Sequence, residues 1–256
     1  MLGSGTSSGV PRIGGWDGAG DWGDCDPADP RNRRRRASIL VEHQDTVILV
    51  DTGPDLREQL LSAKVRYLDA VFLTHDHADH SHGIDDLRQV FHAMGEPVAC
   101  YASADTWSVL RKRFDYVFEG TRYYPPTCTA NVLDGPVKIG DVRVTPFVQN
   151  HGNIDSTGYR FDAAGRALAY STDVKRLDPE ATPALTGLDL WVVDALRRHP
   201  HPTHSHLSQT LEWIETYRPK RSVLTHMDQS MDYARLLAEL PETIVPGHDG
   251  LAIDLN

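Results

Sequence analysis

The chain has 256 residues, of which 40% are apolar and 24% are charged, and its formal net charge is −10. This composition is that of an ordinary globular protein long enough to bury a substantial core, and no run of eighteen apolar residues predicts a transmembrane helix. The acidic balance argues against a broad nucleic-acid surface, although a local basic patch is compatible with it.

The cysteines are an odd and widely spaced set, Cys25, Cys100 and Cys128, without a C-x-x-C pair. The N-terminus has no basic segment followed by an apolar one, so it does not have the pattern of a signal peptide. These features predict reduced thiols in a cytoplasmic protein. We expect the cysteines neither to bind metal nor to form disulfides.

The first 36 residues are rich in glycine, aspartate, proline and arginine. Residues 3–9, G-S-G-T-S-S-G, have the look of a phosphate-binding loop, but no βαβ unit with a downstream acidic residue surrounds them. A glycine-rich strand and turn is the preferred interpretation, followed by a long ordered loop over 16–30. The arginines within 31–36 either balance the preceding aspartates on a solvated face or, through Arg33 and Arg35, contact an anionic substrate.

From residue 37 onward the pattern predicts regular structure. Strands over 37–42 and 46–50 form a hairpin, a helix spans 54–63, and a buried strand over 68–73 precedes a polar loop. A helix then runs from residue 82 to Met94, where Gly95 ends it, and helix and strand alternate again through residue 114.

The second half of the chain predicts a similar mixture of strands and helices. No internal repeat or linker divides the chain, so a single domain over residues 1–256 is predicted. The remaining predicted elements are a hairpin over 131–150 around Gly140-Asp141, a second hairpin that pairs 156–161 with 166–170, a helix that begins at Asp178-Pro179, a strand over 188–193, a helix over 207–217 and a strand over 222–224.

The most specific signal is the sequence H-x-H-x-D-H, which follows the strand over 68–73. Imidazole nitrogen and carboxylate oxygen are ligands that zinc, manganese and iron accept. His75 and His77 alternate, so a partly extended loop can present both to one metal. Asp79 and His80 lie just beyond, where the chain has turned and can reach a second metal.

Further candidate ligands follow other predicted strands. His151, Asp173 and His226 each lie at a strand end, as His75 does. Strand ends along one edge of a sheet converge, so these residues predict a metal site built from distant segments. Asp51 ends the strand over 46–50 and is expected to accept a hydrogen bond from the far nitrogen of a metal-bound histidine.

The H-x-H-x-D-H loop after a buried strand resembles the signature of the metallo-β-lactamase-fold hydrolases, and with the later strand-end residues the resemblance covers essentially the whole chain. It implies a four-layer αβ/βα sandwich with a two-metal site. A bridging aspartate rather than a cysteine implies the phosphodiesterase, ribonuclease Z or glyoxalase II branches rather than a typical β-lactamase. The ligands it implies are His75, His77 and His151 for the first metal, Asp79, His80 and His226 for the second, and Asp173 as the bridge.

Four segments, residues 3–11, 80–88, 201–211 and 224–227, resemble the PhnP type, whose members are phosphodiesterases acting on phosphoribosyl 1,2-cyclic phosphate. In that type the histidine matching His204 lies beside the metals and acts on the scissile phosphate. His206 is the weaker candidate for substrate contact because it lies closer to a helix start. One departure is that PhnP carries an N-terminal cysteine cluster for a structural zinc, of which this chain has one cysteine, so no structural zinc is expected and the exact PhnP substrate is not implied.

The expected activity is therefore hydrolysis of small, including cyclic, phosphodiesters or nucleotides. Two divalent ions, Zn²⁺ or Mn²⁺ with iron also compatible, would lie about 3.5–4 Å apart and activate a bridging hydroxide. The candidate catalytic residues are Asp79 and His204, and a protonated His204 would assist the leaving oxygen. No membrane partner is expected, and a homodimer is compatible with the sequence.

Three alternatives use the same residues. A ribonuclease Z-like nuclease is disfavoured because no extended basic arm is visible in the sequence. A thioesterase or lactonase is disfavoured by a histidine such as His204. A metal-dependent ligand-binding protein without catalysis is disfavoured by the complete set of predicted ligands.

Overall fold

The structure is a computed structural model and describes residues 1–255, whose strands form two sheets. The first sheet has the order β1-β2-β3-β4-β5, with the first pair antiparallel and the others parallel. Every residue of β2 and β3 is buried, as expected for strands covered on both faces. The bounds are β1 Ile39–His43, β2 Thr46–Val50, β3 Ala70–Phe72, β4 Val98–Ala102 and β5 Cys128–Val132.

The second sheet comes from the second half of the chain and has the order β12-β11-β10-β9-β8-β7-β6. Strands β6 to β9 form an antiparallel meander, and β9 to β12 pair in parallel. The bounds are β6 Val137–Ile139, β7 Val142–Asn150, β8 Asp155–Ala163, β9 Arg166–Ser171, β10 Leu190–Asp194, β11 Arg221–Thr225 and β12 Ile244–Pro246.

Helices cover the outer face of each sheet. Those of the first half are α1 Leu56–Ser62, α2 Ala78–Ser81, α3 Leu87–Met94, α4 Ala104–Arg113 and α5 Asp115–Phe118. Those of the second half are α6 Thr182–Leu185, α7 Leu207–Tyr217 and α8 Tyr233–Glu239. Short 3-10 turns lie at Pro30–Asn32, Ile84–Asp86 and Pro179–Ala181.

The alternation of side chains along β2 shows how the layers pack. Ile48 and Val50 join a core shared with Tyr159 and Val192 of the second sheet. Leu49, which points the other way, joins the core between the first sheet and its helices. A third core fills the space between the second sheet and its own helices. The predicted four-layer αβ/βα sandwich is confirmed.

One local prediction was wrong. Asn131 belongs to β5 and pairs with Tyr101 in the first sheet, so the hairpin contains β6 and β7 alone. The chain changes sheets between β5 and β6, where Gly135 and the following proline interrupt the pattern. The helix predicted to begin at Asp178-Pro179 starts there as a 3-10 turn and continues into the short α6, in which Pro183 lies in the first turn.

The predicted loop over 16–30 is ordered by hydrogen bonds to the segment after β11. Asp232 Oδ2 accepts from Asn32 Nδ2 (2.8 Å) and from the Asp26 amide (3.1 Å). Arg34 is 2% exposed and donates to the Met231 carbonyl oxygen at 2.6 Å. These contacts fix the loop beside the strand end that leads to His226.

Candidate metal centre

Histidine and aspartate side chains meet at one edge of the two sheets, where several strands end. Within residues 1–255, the donor atoms of each group of these side chains lie within 4.8 Å of one another. The residues predicted as ligands fall into two groups that share one aspartate. The first group is His75, His77, His151 and Asp173, and the second is Asp79, His80, Asp173 and His226.

Asp173 presents one carboxylate oxygen to each group. Its Oδ2 lies 3.7 Å from His75 Nε2 and 3.4 Å from His151 Nε2. Its Oδ1 lies 3.0 Å from His80 Nε2 and 3.3 Å from His226 Nε2. Two ligand atoms that each lie about 2.0–2.1 Å from one tetrahedral ion are separated from each other by distances similar to these. The spacing therefore suits a carboxylate that bridges two ions.

The loop after β3 folds so that its donors face both groups. His77 has extended backbone angles (φ −62°, ψ 152°) and precedes α2, and its carbonyl oxygen accepts from the Ser81 hydroxyl at 2.7 Å. Asp79 and His80 lie within α2 and are buried, whereas His77 is exposed. The extended part of the loop supplies one group and the helical part supplies the other.

Backbone strain is present at the same edge. Asp51, Asp173 and His226 have left-handed φ angles of 67°, 51° and 57°. Such a conformation costs a residue other than glycine about 1–3 kcal/mol and persists where the surroundings enforce it. Strain of this kind clusters at functional sites, so its position agrees with that of the histidine groups.

Neighbouring groups orient the histidines. His80 Nδ1 lies 2.7 Å from Asp51 Oδ2, and His75 Nδ1 lies 3.0 Å from Thr74 Oγ1. His151 Nδ1 lies 2.7 Å from the Thr203 carbonyl oxygen. Each Nδ1 is thereby engaged, and each Nε2 faces the centre. Asp51 makes the contact expected of an aspartate that orients a metal ligand.

A third group places His204 beside the centre. His204 Nδ1 lies 3.1 Å from Asp194 Oδ2, and its Nε2 lies 3.8 Å from Asp173 Oδ2. Its ring stacks on that of His226 with centroids 4.8 Å apart. Asp194 was missed by the sequence reasoning, although it ends a buried strand as Asp51 does, and that position was the available signal.

Burial and the neighbouring charged groups shift the pKa values of the histidines at the centre. Burial alone lowers the pKa of His226, but Asp173, Asp79 and Asp194 outweigh it and raise that pKa to about 9. Burial and the neighbouring His80 hold the pKa of His75 well below its ordinary value. His75 therefore stays neutral, the state in which imidazole binds metal.

The residues fit a divalent metal ion. Nε2 of His75 and Nε2 of His80 are buried and have no hydrogen-bond partner within residues 1–255. His80 Nε2 lies 3.0 Å from Asp173 Oδ1 without forming a hydrogen bond to it. Buried nitrogen and oxygen atoms that lie this close together without a hydrogen bond between them are spaced as ligands of one ion. The centre is therefore suited to metal binding.

The residues predicted to contact substrate have other neighbours in this structure. Arg33 packs over the Trp22 ring (5.0 Å), and Arg35 pairs with Asp249 at 3.0 Å. Arg35 also lines a cavity at the opposite ends of β9 and β10. His206 is half-buried and precedes α7 without joining the donor groups.

The cysteines lie away from the centre. Cys100 and Cys128 are buried in the core between the first sheet and its helices, and Cys25 is buried next to Arg34. Among the described residues, none of the three donor groups contains a cysteine. Every helix within residues 1–255 is too short or too polar to span a bilayer.

Comparison with known proteins identifies relatives over most of the chain. The family model described as a beta-lactamase superfamily domain matches residues 46–227. A crystal structure described as a new diphosphatase from the PhnP family is 34% identical with a TM-score of 0.89, covering 100% of this chain and 96% of that one.

Two curated relatives are longer than the segments that match. The octanoyltransferase of Porphyromonas gingivalis is 34% identical over 258 residues, which cover 98% of this chain and 50% of the relative. The ribonuclease Z of Methanosarcina acetivorans is 26% identical over 137 residues, which cover 51% of this chain and 43% of the relative. The chain thus spans about half the length of the curated relatives it matches.

Proposed function

Because the chain belongs to the beta-lactamase superfamily and, within it, to the PhnP family, we propose that it hydrolyses small phosphodiesters with two divalent metal ions. The observation that carries this proposal is the position of Asp173, whose two oxygens face two separate groups of donors. His204 lies beside them, close enough to act on a substrate held there.

The first ion would be held by His75, His77, His151 and Asp173, and the second by Asp79, His80, Asp173 and His226. These nitrogen and oxygen donors suit zinc or manganese and are also compatible with iron. When bound, the two ions would lower the pKa of water to supply the nucleophile and would neutralise charge on the phosphate oxygens.

His204 would assist departure of the leaving group. Asp194 holds its Nδ1, so a proton on Nε2 faces the side of the ring that borders Asp173. That proton can pass to the leaving oxygen as its bond to phosphorus breaks. Asp194 acts through His204 and is a positioning residue. Asp79 acts as a ligand of the second ion, with its Oδ2 3.1 Å from His80 Nε2.

The relatives favour chemistry at phosphorus. The PhnP-family neighbour is described as a diphosphatase, and ribonuclease Z is a nuclease by name. The name octanoyltransferase belongs to a protein of which this chain matches half. The acyl chemistry in that name is therefore weaker evidence about this chain than the diphosphatase activity of the PhnP-family neighbour. That neighbour aligns over 100% of this chain and 96% of its own.

The test combines metal analysis with a substrate screen. Protein loaded with Zn²⁺ or Mn²⁺ is offered bis-p-nitrophenyl phosphate, cyclic nucleotides, an octanoyl thioester and a lactone, with chelator-treated protein as the control. We expect about two ions per chain and metal-dependent cleavage of the phosphodiesters. Hydrolysis of the thioester or lactone without phosphodiester cleavage would overturn the proposal.

Ribonuclease Z chemistry is the second candidate, and it is favoured by the alignment with the ribonuclease Z of Methanosarcina acetivorans. A precursor tRNA in the same screen separates the two candidates. Cleavage of the tRNA with kcat/KM above that of every small diester would replace the leading proposal.

A further inference from the structure

Thr74 lies between the buried strand β3 and the candidate ligand His75. The residue is buried, and its hydroxyl oxygen lies 3.0 Å from His75 Nδ1. The same hydroxyl lies 3.0 Å from each carboxylate oxygen of Asp51, and the Thr74 amide donates to Asp51 Oδ1 at 2.8 Å. Thr74 therefore connects an aspartate that follows β2 to a histidine that follows β3.

Asp51 contacts a candidate ligand of the other ion directly. Its Oδ2 lies 2.7 Å from His80 Nδ1, and Asp51 is as buried as Thr74. The ring centroids of His75 and His80 are 4.5 Å apart. One buried carboxylate thus contacts His80 itself and reaches His75 through the hydroxyl of Thr74.

The positions of the protons follow from these contacts. An ionised carboxylate only accepts hydrogen bonds, so the single proton of the Thr74 hydroxyl points to Asp51. The hydroxyl oxygen then accepts from His75, which places the proton of a neutral imidazole on Nδ1. His75 Nε2 is left without a proton and, within residues 1–255, without a hydrogen-bond partner. A neutral imidazole with a free Nε2 is ready to bind a metal ion through that atom.

A second threonine that directly precedes a candidate ligand lacks these contacts. Thr225 is the last residue of β11, comes directly before His226 and is also buried. Within residues 1–255 its hydroxyl has no hydrogen-bond partner. A threonine before a ligand therefore does not create the link by itself, because the link depends on the position of Asp51.

We propose that Thr74 is a positioning residue for the first ion, because its hydroxyl joins His75 to Asp51. This inference rests on the proposed function for the assignment of His75 and His80 to different ions. It goes beyond the contact of Asp51 with His80, since it makes one carboxylate orient a ligand of each ion. Removal of the hydroxyl should weaken binding of the first ion and spare the second.

The experiment measures zinc binding at the two histidines separately. Protein with ¹⁵N-labelled imidazoles is placed in zinc buffers set by a competing chelator, and the ¹⁵N shifts of His75 and His80 report the occupancy of the two ions. Thr74→Val replaces the hydroxyl with a methyl group, and Thr74→Ser keeps the hydroxyl. Thr225→Val is the matched control, because it makes the same replacement at a buried threonine whose hydroxyl has no partner among the described residues.

Loss of a side chain that holds a metal ligand typically lowers metal affinity by about 10–100-fold. In Thr74→Val, the free zinc concentration that half-fills the His75 site should therefore rise by about this factor, and the value at His80 should change by less than about threefold. Thr74→Ser and Thr225→Val should stay within about threefold of the natural protein at both histidines. An equal rise at both histidines in Thr74→Val, or an effect of Thr225→Val as large as that of Thr74→Val, would overturn the inference.

The natural protein provides a second measurement that holds even if Thr74→Val does not fold. In zinc-loaded protein, the imidazole spectrum of His75 should show a proton on Nδ1 that exchanges slowly with water, because His75 and Thr74 are both buried. A His75 ring without a proton on Nδ1 would overturn the inference.

Cleavage of bis-p-nitrophenyl phosphate tests the proposed function separately. A selective loss of zinc at His75 in Thr74→Val, together with no cleavage by the natural protein, would retain the role of Thr74 and reject the phosphodiesterase proposal. Metal-dependent cleavage by the natural protein, together with unchanged zinc binding in Thr74→Val, would do the reverse.

Discussion

At the scale of single residues, the shared carboxylate is the feature on which both proposed ion sites depend. Replacing Asp173 with Asn keeps its size but removes the negative charge that faces His80 and His226. We expect the bound metal to fall from about two ions per chain to fewer than one, because each group loses its common anionic ligand. Elemental analysis measures this. Asp178→Asn, an exposed acid that pairs with Arg176, is the control and should retain both ions.

His204 offers a sharper test of the chemistry. His204→Ala should keep both metals and the fold, because the side chain belongs to neither ligand group. Phosphodiester turnover should fall by about 10²–10⁴, the range of a lost general acid. The loss should shrink when the leaving group is p-nitrophenolate, which departs with little protonation.

His206→Ala is the matched control for His204→Ala. His206 lies two residues away at the start of α7 and contacts neither Asp173 nor Asp194. A normal rate in His204→Ala with no turnover in His206→Ala would reverse the assignment. Full activity in both variants would remove the main support for phosphodiester over thioester hydrolysis.

Residue type alone could not predict which arginines within residues 31–36 are exposed and which are buried. Arg31 is 44% exposed in its side chain and pairs with Asp29, two residues earlier in the sequence. Arg34, three residues later, is buried and donates to carbonyl oxygens almost 200 residues away. Only the fold determines which arginine is buried, because the hydrogen-bond partners of the buried arginine are distant in the sequence. Arg33 and Arg35 as substrate contacts remain a prediction.

At the scale of elements, Arg34 ties the N-terminal loop to the segment after β11. Burial lowers the pKa of its guanidinium, and three hydrogen bonds to oxygen atoms of Asp228, Met231 and Asn32 hold it. Arg34→Met should reduce the free energy of unfolding by about 2–4 kcal/mol, because buried carbonyl oxygens lose a charged donor. Hydrogen exchange should also quicken in residues 16–34 and 228–233.

The control for this variant is Arg31→Met in the same run. An exposed ion pair contributes about 0–1 kcal/mol, so denaturant unfolding should hardly change. Equal destabilisation by the two variants would mean that the buried hydrogen bonds do not hold the loop.

Elements with strong local patterns were predictable, and those that depend on distant pairing were not. The helix over 207–217 was predicted with the bounds it has, because apolar side chains recur at helical spacing within it. The last residues of β5 were placed in the wrong hairpin, because its short, partly polar sequence reveals nothing of its pairing with β4, as in Val98 with Cys128. The ligands in the H-x-H-x-D-H motif could be predicted from the sequence because all of them lie within six consecutive positions.

At the scale of the whole molecule, the centre joins the two halves of the sandwich. The first sheet supplies His75, His77, Asp79 and His80, and the second supplies His151, Asp173 and His226. Because donors from both sheets converge on Asp173, an ion that binds them also stabilises the packing of the sheets. Metal loading should therefore raise the melting temperature of the protein as a unit.

The size of that effect should depend on pH. In metal-free protein the pKa of His226 is about 9, compared with an ordinary value of 6.5. Its protonated form, paired with Asp173, therefore stabilises the metal-free fold fully below about pH 6.5, and this contribution is lost as the pH rises through 9. In loaded protein the ion takes the place of the proton and requires the neutral ring, so metal binding strengthens over the same pH range.

The difference in melting temperature between zinc-loaded and chelator-treated protein should widen from pH 6.5 to 9. Differential scanning calorimetry measures it, with His199→Gln, an exposed histidine outside the donor groups, as the control that should show the same widening. A difference that stays constant or narrows would show that protons and metal do not compete for this centre.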